Sequence, residues 1–497
     1  MTIPFKQIPQ NIRTPLFFAE IDNSHANSAV ANQRALLIGP MTSAGAATPN
    51  VPLISSGTGD ANIQAGANSV LALMTAAYRQ NDQFGELWYL PVQDAAGAVA
   101  ATGTIAFTSA PTANGTISLY IAGQLVTVPV TAGQTTAQIA TAVAAAINLI
   151  PSMPVTAAAS TSTVTLTADN KGLVGNDIDV RFNYIGTTAG EALPTGLAAT
   201  ITAMAGGTTN PTLTTALGNL QDMPFDFIAC AFTDTTSLDA LKAFLNDSTG
   251  RWSWQQQVYG HVFVAYRSTW AGLTTFGTSR NNQHESIMGF NDSPTPAWQW
   301  AAAIAAVTAV SVRADPGVPM QTVALTGVLA PPLQSRFNLS QRNTLLYDGI
   351  STHTVGDDGT VAIENLITSY QTNAFGQPDN SYLEVETMFL LAYVLRRLRT
   401  LVTSKYARVK LAANGTRFGP GAGIVTPNII KADQIAEYQA MEYEGYVQGS
   451  DKFAQSIIVE QNAQNPNRVD VLWPGTLINQ LRIFALLAQF RLSTSQT

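Results

Sequence analysis

A long stretch without charge constrains the fold of this chain more than any other feature. No charged residue occurs between residues 95 and 168, and Ala, Thr and Gly dominate as far as about residue 208. On either side, short apolar runs alternate with segments of helical periodicity, which is the pattern of α/β domains. Because that alternation stops and then resumes, we expect a discontinuous α/β core domain, residues 25–95 plus 209–375, interrupted by a β-rich inserted domain, residues 96–208.

Both halves of the proposed core contain predicted elements. Its predicted strands are RALLIG and ELWYLPV before the insertion, and FDFIACAF, HVFVAY and SIMGF after it. Its predicted helices are residues 62–79, 211–221 and 297–313, together with DALKAFLND, where Thr236 and Asp239 have the spacing of a capping box. Strands that alternate with helices imply a mixed, partly parallel sheet with flanking helices.

The inserted domain has periodicities of its own, which argue against a low-complexity linker. GTIAFTSA and TISLYIAG flank Asn114-Gly115, a sequence typical of a hairpin turn. A short helix is predicted from apolar residues at helical spacing, namely Ile139, Val143, Ile147 and Ile150. A half-buried strand is predicted from apolar residues at alternate positions, namely Ile178, Val180, Phe182 and Tyr184.

The two ends of the chain differ from its middle. Residues 1–24 have prolines at positions 4, 9 and 15 and little periodicity, so we expect an extended arm. Residues 376–497 predict an α+β C-terminal domain, with a capping box at Ser381 and Glu384 and a buried helical stripe comprising Met388, Leu391, Leu395, Leu398 and Val402.

The chain is predicted to close with two strands, RVDVLW and LRIFALLAQFRL. The second has large apolar residues on both faces, with Phe484, Leu486, Phe490 and Leu492 on one and Ile483, Ala485 and Leu487 on the other. Such a strand invites aggregation unless it is paired and covered. The residues alone leave two partners open, RVDVLW of the same chain or a neighbouring molecule.

Composition restricts the class of protein. Charged residues make up 11% of the chain and hydrophobic residues 46%, whereas roughly a quarter of a typical soluble domain is charged. Disorder does not explain the low charge content, because disordered chains are poor in apolar residues. A membrane protein does not explain it either: the apolar stretch near 301–310 is shorter than the ~20 residues of a spanning helix, and the opening residues lack the apolar core of a signal peptide. We therefore expect no membrane insertion. Because the cores of protein–protein interfaces are depleted of charged residues, the low charge content instead favours extensive burial between subunits.

The distribution of charge and the single cysteine bear on nucleic-acid binding and on the compartment in which the chain folds. The net charge of −7 gives no overall basic field for direct nucleic-acid binding. The sequence has one cluster of cations, which comprises Arg396, Arg397, Arg399, Lys405, Arg408 and Lys410. We interpret it as the C-terminal end of a helix, where positive charges complement the helix dipole. Cys230 is the only cysteine, so no intrachain disulfide forms, which suits folding in a reducing cytoplasm.

A search for catalytic chemistry finds no assembled site. The sequence contains no phosphate-binding loop with a Walker lysine, no GxSxG nucleophile elbow and no HExxH zinc motif. The glycine-rich residues 419–423 indicate a mobile loop. The four histidines lack the spacing of metal ligands, and we expect them to be structural or at the surface; they are His25, His261, His284 and His353. We therefore expect no enzyme, no cofactor and no catalytic or metal-binding residue.

Several segments resemble one family in their order and spacing. IRTPLFFAEIDNSHA, RALLIGPMTSAGAATPNVPLISS and GANSVLALMTAAYRQNDQFGELWYLPVQD look like the start of Mu-like phage tail sheath proteins. VRADPGVP, LLYDGIST, LITSYQTNAFGQPDNSYLEVETM and VDVLWPGTLINQLRIFALLAQFRL are similar to later parts of that family. The resemblance covers both ends and the core and is weakest over residues 96–208, where sheath proteins vary in inserted, outward-facing domains.

The resemblance implies a structural protein of a contractile tail. Sheath subunits stack as hexameric rings in a helical sleeve around a tail tube, and contraction drives the tube through the bacterial envelope to deliver the genome. The implied partners are other copies of the chain, the tail tube protein, and the baseplate and tail terminator proteins. The implied location is the virion tail, with assembly in the host cytoplasm.

The resemblance also implies that the terminal arms complete sheets in neighbouring subunits. The apolar residues expected at these assembly interfaces are Ile12, Leu16, Phe17 and Phe18 in the N-terminal arm, and Phe484, Leu486, Phe490 and Leu492 in the C-terminal strand. A tube or capsid subunit would share the low charge and the self-assembly. A surface adhesin would leave the α/β core unexplained, and an α/β enzyme would need a site that the sequence lacks.

Overall fold

The core sheet begins before the charge-free stretch. The computed structural model describes residues 33–492. Its first elements are β1 (Ala35–Pro40), β2 (Leu53–Ile54), α1 (Thr58–Ala61), a π-helical turn (Asn62–Gly66), α2 (Val70–Asn81) and β3 (Leu87–Val92). The single helix predicted over 62–79 is therefore wrong at its start. Gly66 has a φ of +89° and Ser69 caps α2 by accepting from the Ala72 amide, so the chain turns before the second helix begins.

The inserted segment forms two antiparallel sheets. Its elements are β4 (Ala100–Ser109), β5 (Gly115–Ile121), β6 (Gln124–Val130), α3 (Thr136–Asn148), β7 (Val155–Ser160), β8 (Thr163–Lys171), β9 (Val180–Phe182) and β10 (Ala198–Ala205). The strand orders are β10-β4-β8-β7 and β6-β5-β9. As the spacing predicts, Ile139, Val143 and Ile147 of α3 are buried, in a hydrophobic cluster separate from that of the core sheet.

The hairpin predicted at Asn114-Gly115 is wrong. β4 pairs with β8 and β10, whereas β5 pairs with β6 and β9, so the two flanking strands lie in different sheets. The tight turn lies instead at Ala122-Gly123 between β5 and β6, where both residues have positive φ. The Asn114 side chain accepts from the Ala132 amide and so joins the loop after β6.

The core sheet continues after the insertion. The elements are α4 (Thr214–Gly218), β11 (Phe227–Cys230), α5 (Thr235–Leu245), β12 (His261–Arg267), α6 (Trp270–Thr278), β13 (Glu285–Phe290), α7 (Ala297–Ala314), α8 (Leu339–Tyr347), β14 (Thr352–Val355) and β15 (Val361–Asn365). The sheet order is β13-β12-β11-β1-β3-β2, and every pairing is parallel except that of β2. The predicted cap of α5 is wrong, because Asp234, and not Thr236, accepts from the Ser237 amide.

One buried cluster joins strands from both sides of the insertion. It includes Leu36 of β1, Leu90 of β3, Phe227 of β11 and Val264 of β12. The α/β sheet that the sequence predicts is thus formed by segments far apart in the chain. The exact domain boundaries remain a proposal.

The C-terminal part contains helices and only short strands. Its elements are α9 (Val385–Tyr406), β16 (Lys410–Leu411), β17 (Ile424–Val425), α10 (Pro427–Tyr443), β18 (Val447–Gln448), α11 (Ser450–Ser456), β19 (Ile458–Gln461), β20 (Val469–Leu472) and β21 (Thr476–Leu477). A third buried cluster forms here around Val394, Tyr438 and Phe453.

Two predictions for α9 are wrong. Its N-cap is Glu384, which makes no side-chain capping bond, and Ser381 bonds Asp379 instead. Of the predicted stripe only Met388 is buried, and Val402 is exposed. The stripe assumes a single neighbour, but α9 packs its first half against the core sheet, where Phe389 lies 5.2 Å from the Phe227 ring centroid, and its second half against the third cluster.

No helix within residues 33–492 combines the length and apolarity needed to cross a membrane. In the same range no group of three or more His, Cys, Asp or Glu side chains is arranged to hold a metal ion.

Candidate assembly surfaces

The C-terminal tail, residues 478–492, is apolar and uncovered. It has no regular secondary structure, so the strand predicted for LRIFALLAQFRL does not form within the chain. Its predicted interface side chains are 77–84% exposed, namely Phe484, Leu486, Phe490 and Leu492. The other predicted interface residues, Ile12, Leu16, Phe17 and Phe18, lie outside the described residues.

RVDVLW does not pair with this tail in the structure. Its residues 469–472 form β20, which pairs antiparallel with β19 from Ile458↔Leu472 to Gln461↔Val469. Of the two partners that the sequence leaves open, the intramolecular one is therefore not seen. An extended segment has unsatisfied backbone groups and exposed apolar side chains until something pairs with it.

The base of the tail is fixed by a cluster of charges. Arg482 binds Glu384 at 2.7 Å and Glu386 at 2.6 Å, and Gln321 donates to the Leu481 carbonyl at 3.3 Å. Glu386 is fully buried and also accepts from the Met320 amide. Burial raises the pKa of Glu384 and of Glu386, and Arg482 opposes that shift. The tail therefore leaves the folded part at a defined point.

The strands of the C-terminal part occur only in pairs within the described residues. These pairs are β16–β17, β18–β21 and β19–β20. A two-stranded hairpin is marginally stable alone, and β19–β20 exposes Ile458, Val471 and Leu472. The β19–β20 pair therefore has an exposed apolar surface beside which a further strand could lie. Among these strands the sequence predicted only RVDVLW. Four of the others have two residues each, too few to leave a periodicity, and the four-residue β19 was also missed.

A basic end is formed by residues 387–432, which contain eight Lys and Arg and no Asp or Glu. Three of these cations have partners: Arg396 binds buried Asp226 at 2.6 Å, Arg397 binds Glu437 and Glu444, and Lys405 binds Asp433 at 3.1 Å. Five make no ion pair among the described residues, namely Arg399, Arg408, Lys410, Arg417 and Lys431. The helix-terminus interpretation fits Lys405, in the last turn of α9, but Arg396 and Arg397 lie earlier and act through ion pairs.

The glycine-rich segment 419–423 lies at this basic end. It lines a cleft of about 460 Å³ together with Val409, Phe418 and Ile429, which are partly exposed. The basic end therefore presents both cations and apolar side chains at the surface.

The cysteine and the three described histidines are buried. Cys230 is fully buried in β11, and burial raises the pKa of its thiol to about 12. His261 bonds Ser286, His284 bonds Asp247, and His353 packs edge-on against Trp300. Burial lowers the pKa of His261 well below its usual value and that of His353 to about 4. His25 lies outside the described residues.

Comparisons with known proteins agree on one family. The profile of the phage tail sheath protein central domain matches residues 206–369, and that of the phage tail sheath C-terminal domain matches residues 377–491. The chain is 40% identical to the Mu-like prophage FluMu tail sheath protein of Haemophilus influenzae, over 99% of this chain and all of that one.

Solved structures with low sequence identity are also similar. The sheath tail protein of Desulfitobacterium hafniense is 12% identical, with a TM-score of 0.49 over 94% of this chain and 97% of that chain. The helical sheath of the anti-feeding prophage in the contracted state is 11% identical, with a TM-score of 0.48 over 97% of this chain and all of that chain.

Proposed function

The chain belongs to the phage tail sheath protein family, and from that premise we propose that it polymerises as stacked hexameric rings around a tail tube and contracts to drive the tube through a bacterial envelope for genome delivery. It would act in the virion tail after assembly in the host cytoplasm. The observation that carries this proposal is the C-terminal tail, an apolar segment that leaves the folded part at a fixed point and has no cover within the described residues.

We propose that the tail becomes a strand only in a neighbouring subunit. Strand addition satisfies the backbone of both partners, and side chains at alternate positions choose the site. The β19–β20 pair, which exposes Ile458, Val471 and Leu472, offers an edge for it. The same role is proposed for the N-terminal arm with Ile12, Leu16, Phe17 and Phe18.

Donated arms would keep the subunits connected while the rings slide. The Arg482 cluster fixes one end of the tail, and residues 483–492, the described part beyond it, make no side-chain bond that would resist reorientation until the segment pairs. At the two ends of the sleeve the last ring would have unpaired edges or unpaired arms. The baseplate and tail terminator proteins are the proposed partners there.

The test is a truncation judged by negative-stain electron microscopy. A chain that ends at Arg482 retains the charge cluster and loses the apolar tail, so we expect soluble particles without tubes. A matched chain that ends at Leu492 removes only residues 493–497 and is expected to form striated tubes like the full chain. Tubes from the shorter chain would contradict the proposal, as would their absence from the full chain at any concentration.

A further inference from the structure

The inserted segment touches the core at the carboxyl ends of its parallel strands. Asn170 donates to the carbonyl of Met41, which follows β1, at 3.0 Å. Further contacts reach the ends of β12 and β13, through the pairs Asp177–Arg267 and Arg181–Asp292. In doubly wound sheets this edge is where ligands usually bind. Here side chains of the same chain occupy it.

Helix α7 depends on one of these contacts for its N-terminus. It is an 18-residue helix with Trp298 and Trp300 buried, and it packs in the main core cluster. Its N-cap is Pro296, which makes no side-chain capping bond. The amide of Ala297 donates instead to a carboxylate oxygen of Asp177, from the inserted segment. The helix is therefore capped by a residue 120 positions earlier in the sequence.

Arg267, at the end of β12, forms an ion pair with the Asp177 carboxylate. Its Nε lies 2.6 Å from Asp177 Oδ1, and its Nη2 donates to the Asp177 and Thr295 carbonyls, both at 3.2 Å. Its guanidinium stacks over the Phe290 ring at 5.2 Å. A helix N-terminus and a guanidinium fixed by the core form the type of pocket that holds a phosphate or carboxylate ligand.

We propose that Asp177 is an internal anion that latches the inserted segment to the core and stabilises α7, so that attachment of the insertion and stability of the core are coupled. The coupling follows because the same carboxylate neutralises Arg267 and caps the helix. Asn170 adds a second contact of this type, since its side-chain oxygen accepts from the Val70 amide at the start of α2 at 2.8 Å. A load applied to the insertion is then passed to the main buried helix of the core.

Chemical rescue in the full chain tests the latch. Asp177→Ala empties the pocket without filling it, and we expect Tm to fall by several degrees. Formate has the charge and shape of the missing carboxylate group. Because a ligand that binds only the folded state raises its stability, the Tm of Asp177→Ala should rise with sodium formate relative to sodium chloride at equal ionic strength, while the wild type should not respond.

The matched control is Asp358→Ala, which removes an exposed carboxylate that bonds Thr360 and forms no ion pair among the described residues. We expect no formate response from it. Absence of a formate response in Asp177→Ala, or an equal response in the control, would overturn the proposal. If Asp177→Ala does not fold, Asp177→Asn retains an acceptor for the Ala297 amide without the charge. It should melt below the wild type, and a Tm equal to or above that of the wild type would also overturn the latch.

Discussion

Phe484 is a large aromatic side chain that is 80% exposed in the isolated subunit. If its burial occurs only in a neighbour, Phe484→Asp should abolish tubes and leave the fold of the subunit unchanged. Its Tm should then equal that of the chain truncated at Arg482, as measured by calorimetry on the soluble species. A fall in Tm relative to that truncated chain would mean that Phe484 packs within its own subunit, where a buried charge costs several kcal/mol.

Arg396, which is partly exposed, pairs with the buried Asp226 and so joins α9 to the start of β11. Arg396→Met removes the cation and leaves a carboxylate that is 3% exposed without its partner. The expected loss in unfolding free energy is about 3–5 kcal/mol, measured by urea denaturation. Arg408→Met, at an exposed arginine without an ion pair among the described residues, is the control and should cost little.

His353 makes stability depend on pH. Burial lowers its pKa in the folded state to about 4, from 6.5, so the unfolded chain binds the proton more tightly. Stability is then lost as pH falls from 6.5 towards 4, by about 2 kcal/mol between pH 7 and pH 5 for this group. In His353→Gln the urea midpoint should change less over that range. An unchanged pH dependence would show that His353 does not titrate on unfolding.

The inserted segment is attached to the core by side-chain contacts as well as by the two points where the chain passes between them. Excision of residues 96–208 would remove Asn170, Asp177 and also Val174, which belongs to the core cluster. We expect the excised chain to lose most of its cooperative melting transition. A short peptide inserted directly after the exposed Thr161, in the turn between β7 and β8, should be tolerated. Melting of both variants is measured by circular dichroism on heating.

Sequence predicted the buried elements well and the contacts between elements poorly. β1, β12 and α7 were found within one or two residues, because each has a strong local periodicity. The hairpin at Asn114-Gly115 failed because turn chemistry says nothing about which sheet each strand joins. The stripe of α9 failed because the helix has two neighbours, and the cap of α7 was missed because Asp177 lies 120 residues away.

For the candidate assembly surfaces, the sequence indicated which residues are apolar but not which other residues surround or contact them. The two-faced pattern of residues 481–492 marked a segment that needs cover, and the structure leaves it uncovered within the subunit. The Arg482 cluster joins residues about one hundred positions apart, so no local pattern indicates it. The basic end is visible as a charge-biased segment, but the division into paired and unpaired cations requires the fold.

Over the whole molecule, charge is divided unevenly. The chain has a net charge of −7, yet residues 387–432 contain eight cations and no anion. A surface with that excess fits an acidic partner, and complementary charge increases the rate and specificity of association. We propose that the basic end faces the tail tube protein, which is the partner proposed above for the inside of the sleeve.

Charge reversal at the basic end tests that placement. Arg408→Glu changes one exposed cation without an ion pair among the described residues, so Tm should stay within about 1 °C of the wild type. Binding to purified tail tube, measured by co-sedimentation, should weaken several-fold and should fall further with added salt. Lys452→Glu makes the same change in net charge at an exposed lysine outside the basic end, and should leave binding unchanged. Equal losses in the two variants would indicate that only total charge matters and would contradict the proposed orientation.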